Sequence, residues 1–329
     1  MHPAPSRVSV DVHLTPDDIA RQLRDDVCRG LQATPKCLPP KWFYDDRGSE
    51  LFDAITRLPE YYPTEAERAI LRGRASDIVA ASGADTLVEL GSGTCDKTRV
   101  LLDAMDEAGR LRRYVPFDVS ETTLREAAAQ LAARHPNLVV DGVVGDFDHH
   151  LGRLPTEGRR LVAFLGGTVG NLTPAPRHDL LEDLTSGLDA GEGLLLGTDL
   201  VKSEDRLVRA YDDSRGVTAE FNRNVLRVVN RELGADFDPE RYEHVARWDV
   251  DNEWIEMRLR SLGDQTVTVE DLGLEVGFAD GEELVTEISA KFTEDGLRSE
   301  LAEAGLEVVG WWTDPAEDYA LSLSVPAAG

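Results

Sequence analysis

The feature that most constrains the fold is a stretch from about residue 84 to residue 200 in which short apolar segments alternate with helical ones. The apolar segments are residues 86–90, 113–118, 138–144, 160–165 and 193–200. Strands separated by helices of this length form a parallel sheet that is covered on both faces. Two further strand-like segments, 306–311 and 319–325, follow a helical segment near the end of the chain. We therefore predict an α/β fold with a Rossmann-like sheet of seven strands, in which the last hairpin is antiparallel.

The pattern changes after residue 201. A helical stretch is followed by alternating strand-like runs with Gly-Asp turns, which predicts a smaller α+β domain over residues 202–292. The main domain then consists of residues 63–201 and 293–329. Residues 15–62, which include an irregular segment rich in Pro and aromatic residues, are expected to contribute to the smaller domain. The Pro- and Ser-containing residues 1–14 are expected to form a flexible tail.

The charge of the chain excludes several kinds of partner. Lys and Arg number 35 and Asp and Glu 62, which gives a formal net charge of −27. Nucleic acids and anionic membranes attract clustered basic residues, so we expect neither as a partner. The sequence shows no signal peptide or membrane span, and its three cysteines have no CxxC spacing, so no metal site is expected. These features favour a cytoplasmic protein, and the lack of heptads or a long apolar edge strand favours a monomer.

Small or acidic residues follow three successive strands. The first strand ends in Gly91-Ser92-Gly93, where glycines allow the backbone to turn tightly and approach a ligand. Asp118 ends the second strand, where a carboxylate can accept hydrogen bonds from both hydroxyls of a ribose. Asp146 and Phe147 end the third, where an acid can hold the exocyclic amine of a nucleobase. An ordinary tight turn and solvated acids are the alternative, but carboxyl ends of parallel strands form the ligand crevice of such sheets.

The identity of the nucleoside follows from what the loop lacks. A dinucleotide fingerprint needs a third glycine so that the helix N-terminus can meet the pyrophosphate, and Asp96 occupies that position. A nicotinamide-dependent oxidoreductase is therefore disfavoured, and the sequence also contains no phosphate-binding GxxxxGK[ST] loop. A ligand with ribose and adenine but no phosphate fits better, which indicates S-adenosylmethionine (SAM). Lys97 would lie near its carboxylate, although a surface cation is the simpler reading of Lys97 alone.

Two other segments carry candidate polar groups. The fourth strand leads to Asn171, whose amide can orient an amine, although an Asn that begins a turn before Pro174 is the alternative. In the strand-like segment 284–292, alternation places Glu287, Ser289 and Lys291 on one face. Such a face is often solvated, but it can also hydrogen-bond two polar atoms of one small ring.

The chain closely resembles the bacterial L-histidine Nα-methyltransferases of ergothioneine biosynthesis, from about Asp25 to Val325. The segments that carry the resemblance are TPKCLPPKWFYDDRGSELFDAITRLPEYYPTEAE, DTLVELGSGT, FDVS, GDF, TVGNLTPAPR, LGTDLVK, LVRAYDD, GVTAEFNRNVLRVVNRELGADFD, TEISAKF and WWTDP. The resemblance implies SAM-dependent trimethylation of the α-amino group of L-histidine to give hercynine. It also implies that residues 63–201 and 293–329 bind SAM and that residues 202–292 bind the substrate.

The resemblance assigns roles to individual residues. SAM would be bound by Gly91, Lys97, Asp118, Asp146 and Phe147, with Tyr44 close to the point of methyl transfer. The backbone groups of the amino acid would be held by Tyr61, Asn171 and Tyr211. The imidazole would be recognised by Glu287 and Ser289, with Ile288 between them.

The chain departs from the family pattern at two places. Gly166-Gly167-Thr168 stands where the family has Gly-Ser-Thr, so position 167 carries no hydroxyl in this chain. Cys95 replaces an expected polar residue, and its small side chain should be tolerated. A SAM-dependent methyltransferase for another amino acid and a nucleoside-binding module without activity remain the alternatives.

Overall fold

The computed structural model of the chain describes residues 7–93, 95 and 97–327. Its internal contacts divide the chain into two compact units. Unit 1 consists of the described parts of Met1–Thr15, Glu65–Leu200 and Phe292–Gly329, and unit 2 of Pro16–Thr64 and Val201–Lys291. The predicted junctions at residues 63, 201 and 293 differ from these bounds by one or two residues.

The bounds of the regular elements in the described residues are as follows. The strands are β1 Val8–Val12, β2 Thr86–Leu90, β3 Arg113–Asp118, β4 Val139–Val144, β5 Arg160–Phe164, β6 Gly193–Asp199, β7 Tyr242–Asp249, β8 Trp254–Ser261, β9 Gln265–Val269, β10 Leu274–Phe278, β11 Glu283–Ala290, β12 Leu306–Thr313 and β13 Tyr319–Pro326. The helices are α1 Pro16–Gln32, α2 Asp46–Ile55, α3 Pro63–Ser82, α4 Arg99–Glu107, α5 Glu121–Arg134, α6 Phe147–His150, α7 Pro174–Ser186, α8 Glu204–Tyr211, α9 Val217–Leu233 and α10 Glu294–Glu303.

Unit 1 is built on one sheet in the order β1-β4-β3-β2-β5-β6-β13-β12. Neighbouring strands from β1 to β6 pair in parallel, whereas β13 is antiparallel to β6 and β12 is antiparallel to β13. Every residue of β2, β5 and β6 is buried, as expected for central strands that are covered on both faces. The predicted α/β sheet with a closing antiparallel hairpin is therefore confirmed.

Two predictions about the N-terminus are wrong. Within the described residues the sheet has eight strands rather than seven, because Val8–Val12 forms an edge strand parallel to β4. The expectation of a flexible tail over residues 1–14 is also wrong for Val8–Val12, while residues 1–6 lie outside the described part of the chain. The sequence of this strand, Val-Ser-Val-Asp-Val, alternates with a period of two, which is typical of a strand with one packed face. The Ser9 hydroxyl also donates a hydrogen bond of 2.7 Å to Asp141 of β4, which fixes the register of this edge.

Unit 2 contains a three-stranded antiparallel sheet in the order β11-β8-β7 and a separate hairpin of β9 and β10. The predicted helical stretch after residue 201 is two helices, α8 and α9. The break follows from Gly216, which has a φ of +71°, and from Asp213, whose carboxylate accepts backbone hydrogen bonds from Val217 and Thr218 at the start of α9. The break places Tyr211 at the last position of α8.

The aromatic-rich segment before α2 is packed into the core of unit 2. Residues Pro40–Phe43 form one turn of 3₁₀ helix, and the Phe43 ring is fully buried 4.7 Å from the Phe221 ring of α9. Asp45 begins α2 by accepting a hydrogen bond from the backbone of Gly48, and it also accepts one of 2.7 Å from the Asn224 amide. These contacts hold the neighbouring Tyr44 in place. Among the described residues, no helix is both long and apolar enough to cross a membrane.

Candidate active site

The glycine loop of unit 1 follows β2 directly. Gly91 and Gly93 have φ values of +69° and +46°, which residues with a Cβ rarely adopt. The Gly91 amide donates a hydrogen bond of 2.9 Å to the carbonyl of Phe117, so the loop is tied to the end of β3. The backbone of this turn is therefore accessible in the manner that the sequence predicts for a nucleoside-binding loop. Asp96, the residue at the position of a third glycine, lies outside the described residues, as does the neighbouring Thr94.

Asp118 connects this loop to the next strand end. One carboxylate oxygen accepts a hydrogen bond of 2.8 Å from the Gly93 amide, and the other accepts one of 2.9 Å from the Ser120 amide. Burial raises the pKa of Asp118 above its ordinary value. A carboxylate has about four acceptor positions, and the backbone amides of Gly93, Ser120 and Val119 use three of them, so Asp118 retains capacity for a ligand hydroxyl. As a hydrogen-bond acceptor at this position, Asp118 fits the hydroxyl groups of a ribose.

An aromatic surface lies beside the third strand end. The Phe147 ring is stacked on the Phe117 ring, with centroids 5.5 Å apart, and tilted against Phe164 at 5.3 Å. A Cβ at Gly91 would lie 3.7 Å from the tip of Phe147, so the glycine loop and this ring are neighbours. Asp146 starts α6 by accepting a hydrogen bond of 3.0 Å from the backbone of His149. A flat apolar face next to a carboxylate is a suitable environment for an adenine ring.

Lys97 is held by an acid that the sequence analysis did not identify. Its ammonium forms an ion pair with Glu67 of α3, a residue that is 1% exposed. The Glu67 carboxylate also accepts hydrogen bonds of 2.7 Å from the Gly166 amide and 3.1 Å from the Tyr319 hydroxyl. Lys97 is therefore no isolated surface cation, and the Coulomb field of Glu67 fixes its position. No local pattern around Glu67 identifies this role, because its partners come from distant parts of the chain.

Asn171 closes a 3₁₀ turn, Thr168–Asn171, after β5. The two residues before this turn, Gly166 and Gly167, have φ values of +82° and +72°. A side chain at position 167 would be strained by this backbone conformation and would approach the Tyr319 hydroxyl at 3.4 Å. The departure from a serine thus gives the turn a residue suited to its conformation. Asn171 itself is half-buried at the end of the turn.

Three side chains of unit 2 form a closed triangle of hydrogen bonds. The Lys291 ammonium donates to the Ser289 hydroxyl at 2.7 Å and to the Tyr211 hydroxyl at 2.9 Å, and the two hydroxyl oxygens are 2.8 Å apart. Lys291 is 3% exposed, Ser289 6% and Tyr211 8%. The interpretation of this strand face as a solvated surface is therefore wrong for Ser289 and Lys291. The predicted alternation is confirmed for this pair, since both side chains meet on one face.

Glu287 and Ile288 precede the triangle on β11. The strand has an irregularity between Val285 and Glu287, after which Glu287 pairs with Met257 of β8. From Glu287 onward the pairing is regular, so Glu287 and Ser289 share a face while Ile288 lies on the other. Both Glu287 and Ile288 are half-buried. This arrangement presents a carboxylate and a hydroxyl side by side.

The predicted tyrosines lie around this face. The Tyr61 ring is 6.2 Å from the Tyr211 ring, and Tyr44 makes edge contacts of 5.5 Å with Phe52 and with Phe221. Burial raises the pKa of Tyr44 well above its ordinary value, and the charge of Glu287 raises it further. Tyr44 nevertheless keeps 45% of its surface exposed. With this raised pKa, its hydroxyl is protonated near neutral pH.

Comparison with known proteins identifies the family. A family model described as histidine-specific methyltransferase, SAM-dependent, matches residues 23–326. The chain belongs to this family. Histidine N-alpha-methyltransferase of Mycolicibacterium smegmatis is 60% identical over 97% of this chain and 99% of its own, and the Mycobacterium tuberculosis protein of the same name is 57% identical over the same shares. Ergothioneine biosynthesis protein 1 of Neurospora crassa is 29% identical over 88% of this chain and 33% of its own.

A buried acid beneath the glycine loop of this methyltransferase also escaped the sequence analysis. Glu89 of β2 is 4% exposed and accepts hydrogen bonds from the hydroxyls of Thr98 and Tyr114. The Tyr114 hydroxyl also lies 3.0 Å from the Cys95 sulfur, so Cys95 is part of the same cluster. Burial raises the pKa of Glu89 to about 7. The run of apolar residues around Glu89 is the signal that could have indicated a buried carboxyl.

Proposed function

We propose that the chain transfers methyl groups from SAM to the α-amino group of L-histidine, three times in succession, and so produces hercynine. Membership of a histidine-specific, SAM-dependent family supports the donor and the acceptor. The two mycobacterial relatives support the α-amino position. The similarity to an ergothioneine biosynthesis protein supports a place for the reaction as the first step of that pathway.

The residues of unit 1 would hold the donor. Gly91 and Asp118 suit the ribose, Asp146 and Phe147 suit the adenine, and Lys97 suits the carboxylate of the methionine part. When bound, SAM supplies an electrophilic methyl group on a sulfonium. The acidic groups of unit 1 favour a cationic ligand, and the apolar face of Phe147 shields one side of a nucleobase from water.

The residues of unit 2 would recognise the acceptor. Glu287 accepts a hydrogen bond from the N–H of the imidazole, and Ser289 bonds the second ring nitrogen. By the resemblance to the family, Tyr61, Tyr211 and Asn171 are the residues assigned to the amino and carboxylate groups. Ile288 lies between the two polar contacts along the strand. A carboxylate and a hydroxyl on one strand face are the observation that carries the assignment to histidine.

The chain must present the amine as a neutral nucleophile with a fixed direction. A well-oriented bound amine gains most of its rate from proximity and orientation, which can lower a barrier by roughly 7–11 kcal/mol. Tyr44 does not act as a general base, because its raised pKa keeps the phenol protonated. Its oxygen can accept a hydrogen bond from an amine N–H and so orient the lone pair. The faces of the tyrosine rings also tolerate the permanent cation of the trimethylated product.

The test is incubation of the protein with SAM and L-histidine, followed by mass spectrometry. We expect products that carry one, two and three added methyl groups, with the trimethylated form accumulating. The same assay over a panel of amino acids separates histidine from other acceptors by initial rate. Equal rates for several amino acids would contradict histidine specificity, and the absence of transfer to any amine would indicate a binding module.

A further inference from the structure

Lys291 contacts Ser289, one of the two polar residues of the proposed imidazole site, but the proposed function gives it no role. It is buried and donates hydrogen bonds to both Ser289 and Tyr211. A lysine ammonium has three hydrogen-bond donors and no acceptor. It therefore occupies one acceptor position on each of the two hydroxyl oxygens.

The contact between the two hydroxyls determines which one can still act as an acceptor. Their oxygens are 2.8 Å apart, so one hydroxyl donates to the other. Either oxygen could be the donor; because a phenol is a stronger acid than an alkyl alcohol, we assign Tyr211 as the donor and Ser289 as the acceptor. Ser289 then accepts from both Lys291 and Tyr211, which occupies the two lone pairs of its oxygen. In any further bond, Ser289 can take part only as a donor.

We propose that Lys291 is a specificity-determining positioning residue that, with Tyr211, fixes Ser289 as a hydrogen-bond donor toward the unprotonated nitrogen of a neutral imidazole. This inference rests on the proposed function, because it assumes that Ser289 faces the histidine ring. Glu287 on the same strand face is an acceptor when ionised. The two side chains then match the one N–H and the one lone pair of a neutral imidazole.

The pairing of one acceptor, Glu287, with one donor, Ser289, explains how the site would reject other rings. A phenyl ring leaves both Glu287 and Ser289 without a partner, and an imidazolium presents a second N–H to a hydroxyl that cannot accept it. Sites that hydrogen-bond a substrate group reject analogues without that group strongly, because buried polar atoms are left unpaired. Lys291 acts on this selection through Ser289 rather than by touching the ring.

The experiment compares histidine with the two pyrrolylalanines, 3-(pyrrol-2-yl)alanine and 3-(pyrrol-3-yl)alanine. Each keeps one ring N–H and has a C–H where imidazole has its lone pair. The KM and kcat for histidine and the inhibition constants of both analogues are measured for the wild type, Ser289→Ala, Lys291→Met and the double variant. We define the preference as the ratio of the better analogue's inhibition constant to the KM for histidine.

We expect the wild type to prefer histidine by about 100-fold, the scale of a buried hydrogen bond that lacks its partner. Ser289→Ala should lower this preference at least tenfold, mainly through KM for histidine. Lys291→Met should lower it about fivefold, and the double variant should resemble Ser289→Ala, because a residue that acts through Ser289 has no effect on selection once Ser289 is absent. Lys291→Gln, which keeps an amide donor, should recover part of the preference.

Lys36→Met is the matched control. Lys36 is a partly buried lysine of unit 2 that forms an ion pair with Glu282, and the loss of this pair should leave the preference unchanged. The proposal is overturned if Lys291→Met weakens histidine and the analogues equally, or if its effect adds fully to that of Ser289→Ala. It is also overturned if Tyr211→Phe, and not Ser289→Ala, removes the preference, since the polarity of the hydroxyl pair would then be reversed. Absence of histidine methylation by the wild type would instead contradict the proposed function.

Discussion

Asp118 of unit 1 and Ser289 of unit 2 are held in position by different kinds of contact. In unit 1 the Asp118 carboxylate is held by backbone amides of Gly93 and Ser120, which lie in the loops that follow two strands. In unit 2 the Ser289 hydroxyl is held by the side chains of Lys291 and Tyr211, which are brought together by packing. A site that depends on backbone donors follows from sheet topology and tolerates many side chains. A site that depends on a side-chain network changes its specificity when one member changes.

The largest expected effect concerns the polar face of β11 in unit 2, which side chains hold in place. Glu287→Ala should lower kcat/KM for histidine by about 100-fold or more, since hydrogen bonds to charged groups contribute about 1.5–3 kcal/mol and the ring N–H would lose its acceptor. Steady-state kinetics and SAM binding by calorimetry are the measurements, with SAM affinity expected to stay within twofold of the wild-type value. The control is Glu275→Ala, which changes an exposed acid of the same unit. Wild-type kcat/KM for histidine in Glu287→Ala would remove Glu287 from the imidazole site.

The second prediction tests whether the buried acid Glu89 makes the stability of unit 1 depend on pH. The folded pKa of Glu89 is raised from 4.5 to about 7. Between these values the folded state keeps a proton that the unfolded state has lost, so the stability that Glu89 contributes is fully present below pH 4.5 and is lost as the pH rises through 7. The loss from this one group is about 3 kcal/mol between pH 4.5 and pH 8.

Glu89→Gln removes this titration. The free energy of unfolding, measured by urea denaturation at several pH values, should fall less steeply with pH in the variant than in the wild type. Only the difference between the two pH profiles is informative, because the variant also loses hydrogen bonds at every pH. Parallel profiles would show that Glu89 titrates at an ordinary pKa.

A third substitution addresses the backbone-held carboxylate directly. Asp118→Ala should weaken SAM binding by about 10- to 30-fold, the scale of hydrogen bonds to one charged group, and should affect histidine binding far less. Calorimetry with each ligand separates the two effects, and Asp77→Ala on the exposed face of α3 is the control. If SAM affinity were unchanged, Asp118 would be a structural link between loops and no part of the ribose site.

The smallest effect is expected at Asn171, which unit 1 contributes through a short turn. Asn171→Ala should lower turnover with histidine by about fivefold, the scale of one neutral hydrogen bond of about 1 kcal/mol. Steady-state kinetics at saturating SAM are the measurement, and the exposed Asn137→Ala is the control. Unaltered kinetics would leave Asn171 with the role of forming the turn before Pro174.

The sequence was sufficient for the parts of the molecule that depend on local pattern. Alternating strands and helices predicted the parallel sheet, and residues at three strand ends predicted the position of Asp118 beside the glycine loop, which the Gly93 contact confirms. The same reasoning failed for Val8–Val12, because the Pro and Ser content of the N-terminal residues indicated a tail and outweighed the short alternating pattern of the strand. The roles of Tyr61 and Tyr211 came only from the resemblance to a family, since a lone tyrosine has no local signature.

The sequence by itself therefore determined the fold class, the glycine loop and the acids at the strand ends, because the periodicity of strands and the direction of parallel chains bring those residues to one edge. Only the tertiary structure decided which acids are buried and what holds the polar face of β11. Glu67 meets Lys97 and Gly166, and Lys291 meets Tyr211, across long separations in the chain. Such contacts depend on how helices and strands pack, which no short stretch of sequence encodes.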